Sequence, residues 1–161
     1  MGTRMAQTRP TAHLSGTFTF RNWEEKPFSE AEGGAKLGHA LVVNDFHGGI
    51  EGTGTCGYLL VYRSESEGVF HGYEQVVGSV EGRSGSFVLE HSGTFEGDTV
   101  HCRLSIVPGA GTGGLAGLCG TGGFTAEHGK ATTPFTLDAE FTEEFTEEFT
   151  EESTGETSSR A

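Results

Sequence analysis

The sequence predicts an all-β fold, a closed eight-stranded antiparallel β-barrel, and three observations predict it. The chain of 161 residues holds 27 Gly and 12 Phe against only 2 Met. Glycine is poor in helices and common at turns and bulges, while Phe, Val and Thr suit a pleated strand. Apolar and polar residues alternate with a period of two in the expected strands, as in a half-buried strand. The segments between are short and turn-like, so each strand can pair antiparallel with the next through a hairpin.

Ser15–Trp23 is the first expected strand, with Phe18 and Phe20 set between threonines. Pro27 argues against its continuing as a central strand, and residues 29–35 read as a polar loop. Leu37–Asn44 and the long Ile50–Arg63 follow, joined through the turn-like Asn44-Asp45-Phe46-His47-Gly48-Gly49. Val69–Glu81, Ser86–Thr94 and Thr99–Val107 come next. In the last of these Val100, Cys102, Leu104 and Ile106 share one face. Leu115–Phe124 and Phe135–Phe141 complete about eight strands. A sheet this long curls shut or splits into a sandwich. Glycines inside the strands favour the tight curvature of a barrel, although pattern alone leaves the sandwich open.

Residues 12–141 therefore form the expected barrel domain, after a disordered lead over 1–11. Residues 142–161 form an acidic tail continuing a Phe-Thr-Glu-Glu repeat that starts at Phe141, the last barrel residue, and sets Phe141, Phe145 and Phe149 four apart. A disordered acidic extension and a short helix with its Phe rings on one side are both open for it. The formal net charge is −13. No basic stripe is present, which argues against nucleic acid and anionic membrane as partners. Cys56, Cys102 and Cys119 are odd in number and fit no zinc or redox spacing. With no apolar secretory leader at the N-terminus, the expected compartment is the cytoplasm.

Polar residues within apolar strands carry the functional signal. Glu74 shares a face with Phe70, Val76 and Val80, Glu90 lies on the face of Ser86 and Val88, and Glu51 opens a glycine-rich strand. A carboxyl inside a barrel is desolvated and suited to acid or base work. Each of the three can equally be a satisfied structural group or face solvent. Tyr58, Tyr62 and Tyr73 can supply hydroxyls to a pocket, and Trp23 can line a barrel mouth or simply pack. Seven histidines are present, none in a metalloprotease motif. His39/His47 and His91/His101 flank turns, but their spacing specifies no ion, and no metal is expected. Gly109-Ala110-Gly111-Thr112-Gly113-Gly114 has neither the Lys-Ser/Thr of a P-loop nor the strand-then-helix setting of a dinucleotide fingerprint. It reads as a β–β connection.

Three segments carry a resemblance: Phe20-Arg21-Asn22-Trp23-Glu24-Glu25, then Phe46-His47-Gly48-Gly49-Ile50-Glu51-Gly52-Thr53-Gly54, then the long run from Gly72 to Gly93. With Val107–Gly120 they resemble the bacterial domain of unknown function 3224 over roughly residues 14–141. The matching positions include Trp23, Glu25, Glu51, Tyr73, Glu74, Arg83, Phe87 and His91; the acidic tail lies outside the pattern. The family looks like the allene oxide cyclase-like barrels, which implies the eight-stranded closed architecture and no helical second domain. Remote relatives include cyclases that hold an apolar, reactive substrate in the barrel. The reading this supports is a small-molecule-binding barrel, a cofactor-independent isomerase or cyclase on a hydrophobic substrate. Glu74, Glu51 and His91 are its catalytic candidates, and Trp23, Tyr58, Tyr73 and Glu90 its ligand-binding candidates. The alternative is a non-catalytic structural or homo-oligomeric barrel. A roomy interior holding a desolvated carboxyl favours the first, and an interior filled with Phe and Val the second.

Overall fold

The structure is a computed structural model and describes residues 11–142. The expectations for residues 1–10 and 143–161 lie outside the described residues. Nine strands form: β1 (Ala12–Glu30), β2 (Lys36–Gly48), β3 (Ile50–Ser64), β4 (Glu67–Val80), β5 (Arg83–Glu96), β6 (Thr99–Ile106), β7 (Thr112–Gly113), β8 (Leu118–Glu127) and β9 (Thr133–Phe141). Every pairing is antiparallel. β1 through β6 pair in sequence, then β6 with β8, β8 with β9 and β9 with β1, so eight strands close the barrel. The two-residue β7 only caps β5 at Gly85 and Ser86.

Two-residue alternation decides which face is inside. On β4, Phe70, Glu74, Val76 and Val80 are buried while His71, Tyr73, Gln75 and Val77 are exposed. Leu14, Phe46, Ile50, Val80, Phe87, Leu89, Ile106, Leu118, Phe135 and Leu137 belong to one apolar core. Glycines let the backbones approach inside it. Gly52 faces Gly78 across β3–β4, and a Cβ at Gly52 would sit 2.3 Å from the Val77 carbonyl oxygen.

β1 departs from expectation in two ways. It runs through Pro27 to Glu30 rather than ending near Trp23. Only Ala12–Phe18 pair with β9, so beyond Phe18 this strand has a partner on one side alone, β2. A proline is tolerated on such an edge because no ladder donor is lost there. A bulge between Arg21 and Glu24 also shifts the register by one residue, with Asn22 at φ 59°. Asn tolerates that left-handed conformation better than most residues. The half of β1 that lacks a β9 partner stands across from the β8–β9 turn, and that end of the barrel is open.

Gly52→Ala tests the close approach. The added methyl meets backbone, which has nowhere to move without opening the β3–β4 ladder. A loss of about 1–3 kcal/mol is expected, as for other overpacked cores, read by urea denaturation.

Candidate functional site

Alternation that buries apolar residues also buries Asn44, Glu74 and His91, and these are the fully buried polar or charged side chains among the described residues. Glu74 has no exposed surface and His91 is 2% exposed. An isolated buried carboxylate costs several kcal/mol, so it has to be paired and hydrogen-bonded. His91 Nε2 lies 2.8 Å from Glu74 Oε1, and Asn44 Nδ2 donates to Glu74 Oε2 at 2.8 Å. Tyr58 Oη stands 3.0 Å from His91 Nδ1. An ionised carboxylate only accepts, so for a neutral imidazole the hydrogen-bond pattern assigns the proton to Nε2 and makes the Tyr58 hydroxyl the donor to Nδ1. The result is a chain, Tyr58 to His91 to Glu74, closed by Asn44 and built from β2, β3, β4 and β5. Gly54 makes room for it, since a Cβ there would stand 2.1 Å from Glu74 Oε2.

Two thiols flank the chain. Cys102 Sγ is 3.6 Å from His91 Nδ1. Cys56 Sγ can come within 4.8 Å of both a Glu74 carboxylate oxygen and a His91 ring nitrogen. Both cysteines are free and buried. Desolvation pushes the Cys56 thiol up, helped by the Glu74 charge, and pushes Cys102 up to about 12. Burial likewise raises Tyr58 well above the ordinary phenol range, so it stays protonated.

Above the chain lies a cavity of about 690 Å³ at the open end of the barrel. Phe18, Phe20, Trp23, Val42, Leu60, Phe70, Phe95 and Phe124 supply apolar walls, and Asn44 and Tyr58 also line it. At the mouth Glu25 accepts from Trp23 Nε1 at 3.1 Å and from the Tyr62 hydroxyl. The Trp23 ring is 6.0 Å from that of Tyr58 and lines the cavity, next to the bulge at Asn22. A second hollow, of about 540 Å³, lies against β5, β6, β8 and β9 beside His101, Arg103, Thr125 and Thr136. Those four side chains point outward, away from the buried polar residues.

The predicted residues divide cleanly. Glu74 and His91 meet, Tyr58 joins them, and Trp23 stands at the mouth. Glu51, Tyr73 and Glu90 are not brought to the cavity, because each occupies the outward position of its strand. Glu51 accepts from the Gly48 amide, Tyr73 is 52% exposed, and Glu90 lies 3.2 Å from His71 on the outside. Of the histidine pairs, His91 points in and His101 out, while His39 and His47 are both exposed. Sequence alone marks neither Asn44 nor Cys56 as a site residue. Asn44 read as part of a turn, although it continues the buried series Ala40, Val42 and Phe46, and Cys56 had no spacing partner in sequence.

Fold and site thus define a class, closed antiparallel barrels with a buried Glu–His pair beneath an apolar cavity. A family model described as "Protein of unknown function (DUF3224)" matches residues 14–138, and the chain belongs to that family. It is similar to a crystal structure of a protein with unknown function from the same family, from Shewanella oneidensis MR-1. The two are 27% identical with a TM-score of 0.67, over 81% of this chain and 97% of that one. No curated protein matches.

His91→Leu strips the Glu74 carboxylate of its partner and is expected to cost about 3–5 kcal/mol in chemical denaturation. Glu74→Gln is expected to cost nearer 1 kcal/mol. The amide still accepts from Asn44 and donates to Nε2 once the imidazole proton moves to Nδ1, a tautomer change visible by 15N NMR.

Proposed function

We propose that the barrel binds a hydrophobic small molecule in its open-end cavity and acts on it as an isomerase or cyclase through the Tyr58–His91–Glu74 chain. In architecture we read it as allene oxide cyclase-like, and we take the cytoplasm as its compartment. The observation that supports this reading is the pairing of an apolar cavity of about 690 Å³ with a hydrogen-bonded acid–base chain directly beneath it. Apolar walls with a few convergent polar groups are what small-molecule sites have in common.

The chemistry follows from the tautomer. Tyr58 Oη keeps lone pairs free while its proton points at His91 Nδ1. A proton leaving an activated carbon of the ligand passes to Tyr58 Oη as the phenol proton passes to His91. The bonding electrons stay on the ligand, and the new imidazolium faces the Glu74 carboxylate. Return of the proton at another carbon completes an isomerisation and restores all three groups. No free phenolate is needed, which suits a phenol that burial keeps protonated, and no organic cofactor enters.

Trp23 is the only tryptophan of the chain and lines the cavity. Titration with N-phenyl-1-naphthylamine is expected to quench Trp23 emission with saturation at one molecule per chain. Leu60→Phe, which narrows the cavity, should weaken that binding about tenfold, equivalent to about 1.4 kcal/mol. Tyr58→Phe should leave it unchanged while abolishing turnover of any ligand recovered with the native protein. A linear, unsaturable Trp23 response would count against the binding reading.

A second reading, a homo-oligomeric barrel, is favoured by the outer face of β2–β4. Leu41, Leu59, Tyr73 and Val77 are 52–62% exposed there, and Leu41 and Tyr73 flank Gly57 in the register. A second copy of this chain is the occupant such a patch suits. Leu59→Lys is expected to convert a dimer to monomer in sedimentation velocity; a wild-type monomer at all concentrations would dismiss it.

A further inference from the structure

We propose that Cys56, Glu74 and His91 form a site for one divalent transition-metal ion of the Zn²⁺ class inside the barrel. The inference does not rest on the isomerase reading, and the two exclude each other at His91, because an ion on Nε2 leaves Nδ1 protonated and unable to take the Tyr58 proton.

The donor set comes from three neighbouring strands. Cys56 pairs directly with Glu74 across β3–β4, and His91 follows on β5. One ligand atom from each lies within 4.8 Å of the other two. A tetrahedral ion with bonds of about 2.3 Å to sulfur and about 2.0–2.1 Å to nitrogen and oxygen holds its ligands roughly 3.3–3.8 Å apart. Rotamer adjustments close the remaining difference. Thiolate with imidazole selects zinc-like ions over Mg²⁺ or Ca²⁺, which prefer all-oxygen shells.

The outer partners are already in place. A metal-binding histidine is held by a hydrogen bond at its other nitrogen, and a metal-binding carboxylate by a donor at its other oxygen. Tyr58 Oη meets His91 Nδ1, and Asn44 Nδ2 meets Glu74 Oε2, leaving Nε2 and Oε1 facing each other at 2.8 Å. Cys102 stands at Nδ1, on the other side of the ring, and is not a ligand to an ion bound at Nε2. Three protein ligands leave a fourth position open, as in catalytic rather than structural zinc sites.

Charge also fits. A thiolate, a carboxylate, a neutral imidazole and a divalent cation sum to zero, which a fully buried site requires. The proton balance is defined. The Cys56 thiol loses its proton to solvent, the imidazole proton moves from Nε2 to Nδ1, and Tyr58 turns from donor to acceptor at Nδ1. One proton is released per ion. The Tyr58 hydroxyl proton is then free to point into the cavity, so the metal would change what that group offers a ligand.

The test uses the full chain, stripped with chelator and titrated with Zn²⁺ and Co²⁺. The expected result is one ion per chain, release of about one proton per ion across buffers of different ionisation enthalpy, and a near-ultraviolet thiolate-to-cobalt charge-transfer band. Cys56→Ser and His91→Gln should each weaken binding a hundredfold or more, whereas Cys102→Ser and Cys119→Ser should leave it within a few-fold. Because the first two changes touch the core, X-ray absorption of the wild-type zinc form gives an independent reading, with sulfur expected in the first shell. Absence of stoichiometric binding, a first shell without sulfur, or binding unchanged by Cys56→Ser would overturn the assignment and point to surface histidines.

Discussion

A carboxylate held away from water in the middle of a narrow barrel is the constraint around which the rest of this structure is arranged. Glu74 is stable there only because His91 faces one oxygen and Asn44 the other, and because Gly54 has no side chain to contest the space. Removing any of these leaves a desolvated charge or a steric conflict. The arrangement also fixes the histidine tautomer, which in turn sets the direction of the Tyr58 hydroxyl. One buried charge thereby orders polar groups on four successive strands.

The barrel is not uniform along its axis. Its closed end is packed with Ile50, Val80, Phe87, Leu115 and Leu118, all nearly without exposed surface. Its other end is open, and there the second half of β1 lacks a partner on the β9 side. A one-residue bulge at Asn22 adjoins Trp23, which lines the cavity. The polar chain sits between these regimes, beneath the cavity and above the packed core. Access and dryness, which usually compete, are supplied by different halves of the same sheet.

Much of the fold was legible because alternation is a local property. The strand centres on β2 to β6 follow directly from it, and so does the inward direction of Glu74. The end of β1 was not legible. Pro27 reads as a terminator unless it is known that one edge of the strand is bare, and that is a tertiary fact. The site was half legible. Glu74 and His91 could be picked out singly as polar groups in apolar strands, but their pairing depends on the β4–β5 register. Glu51, Tyr73 and Glu90 carry the same residue-level signal as the true interior groups. Parity along the strand separates them, and glycine-rich strands such as β3 blur parity when read from sequence. Cys56 carried no signal at all, since its neighbours in space lie 18 and 35 positions away in the chain.

The closure of the barrel has a practical side. β1 and β9 join by pairing Ala12 with Ala139, and the cavity mouth lies at the far end of the same two strands, past Phe18 and Thr133. Among the described residues, the first and last strands thus begin and end side by side at the base, opposite the entrance. An attachment made at the base, beside Ala12 or Ala139, lies at the opposite end of the barrel from the entrance. Ligand exchange and attachment can be engineered, or selected, independently of each other.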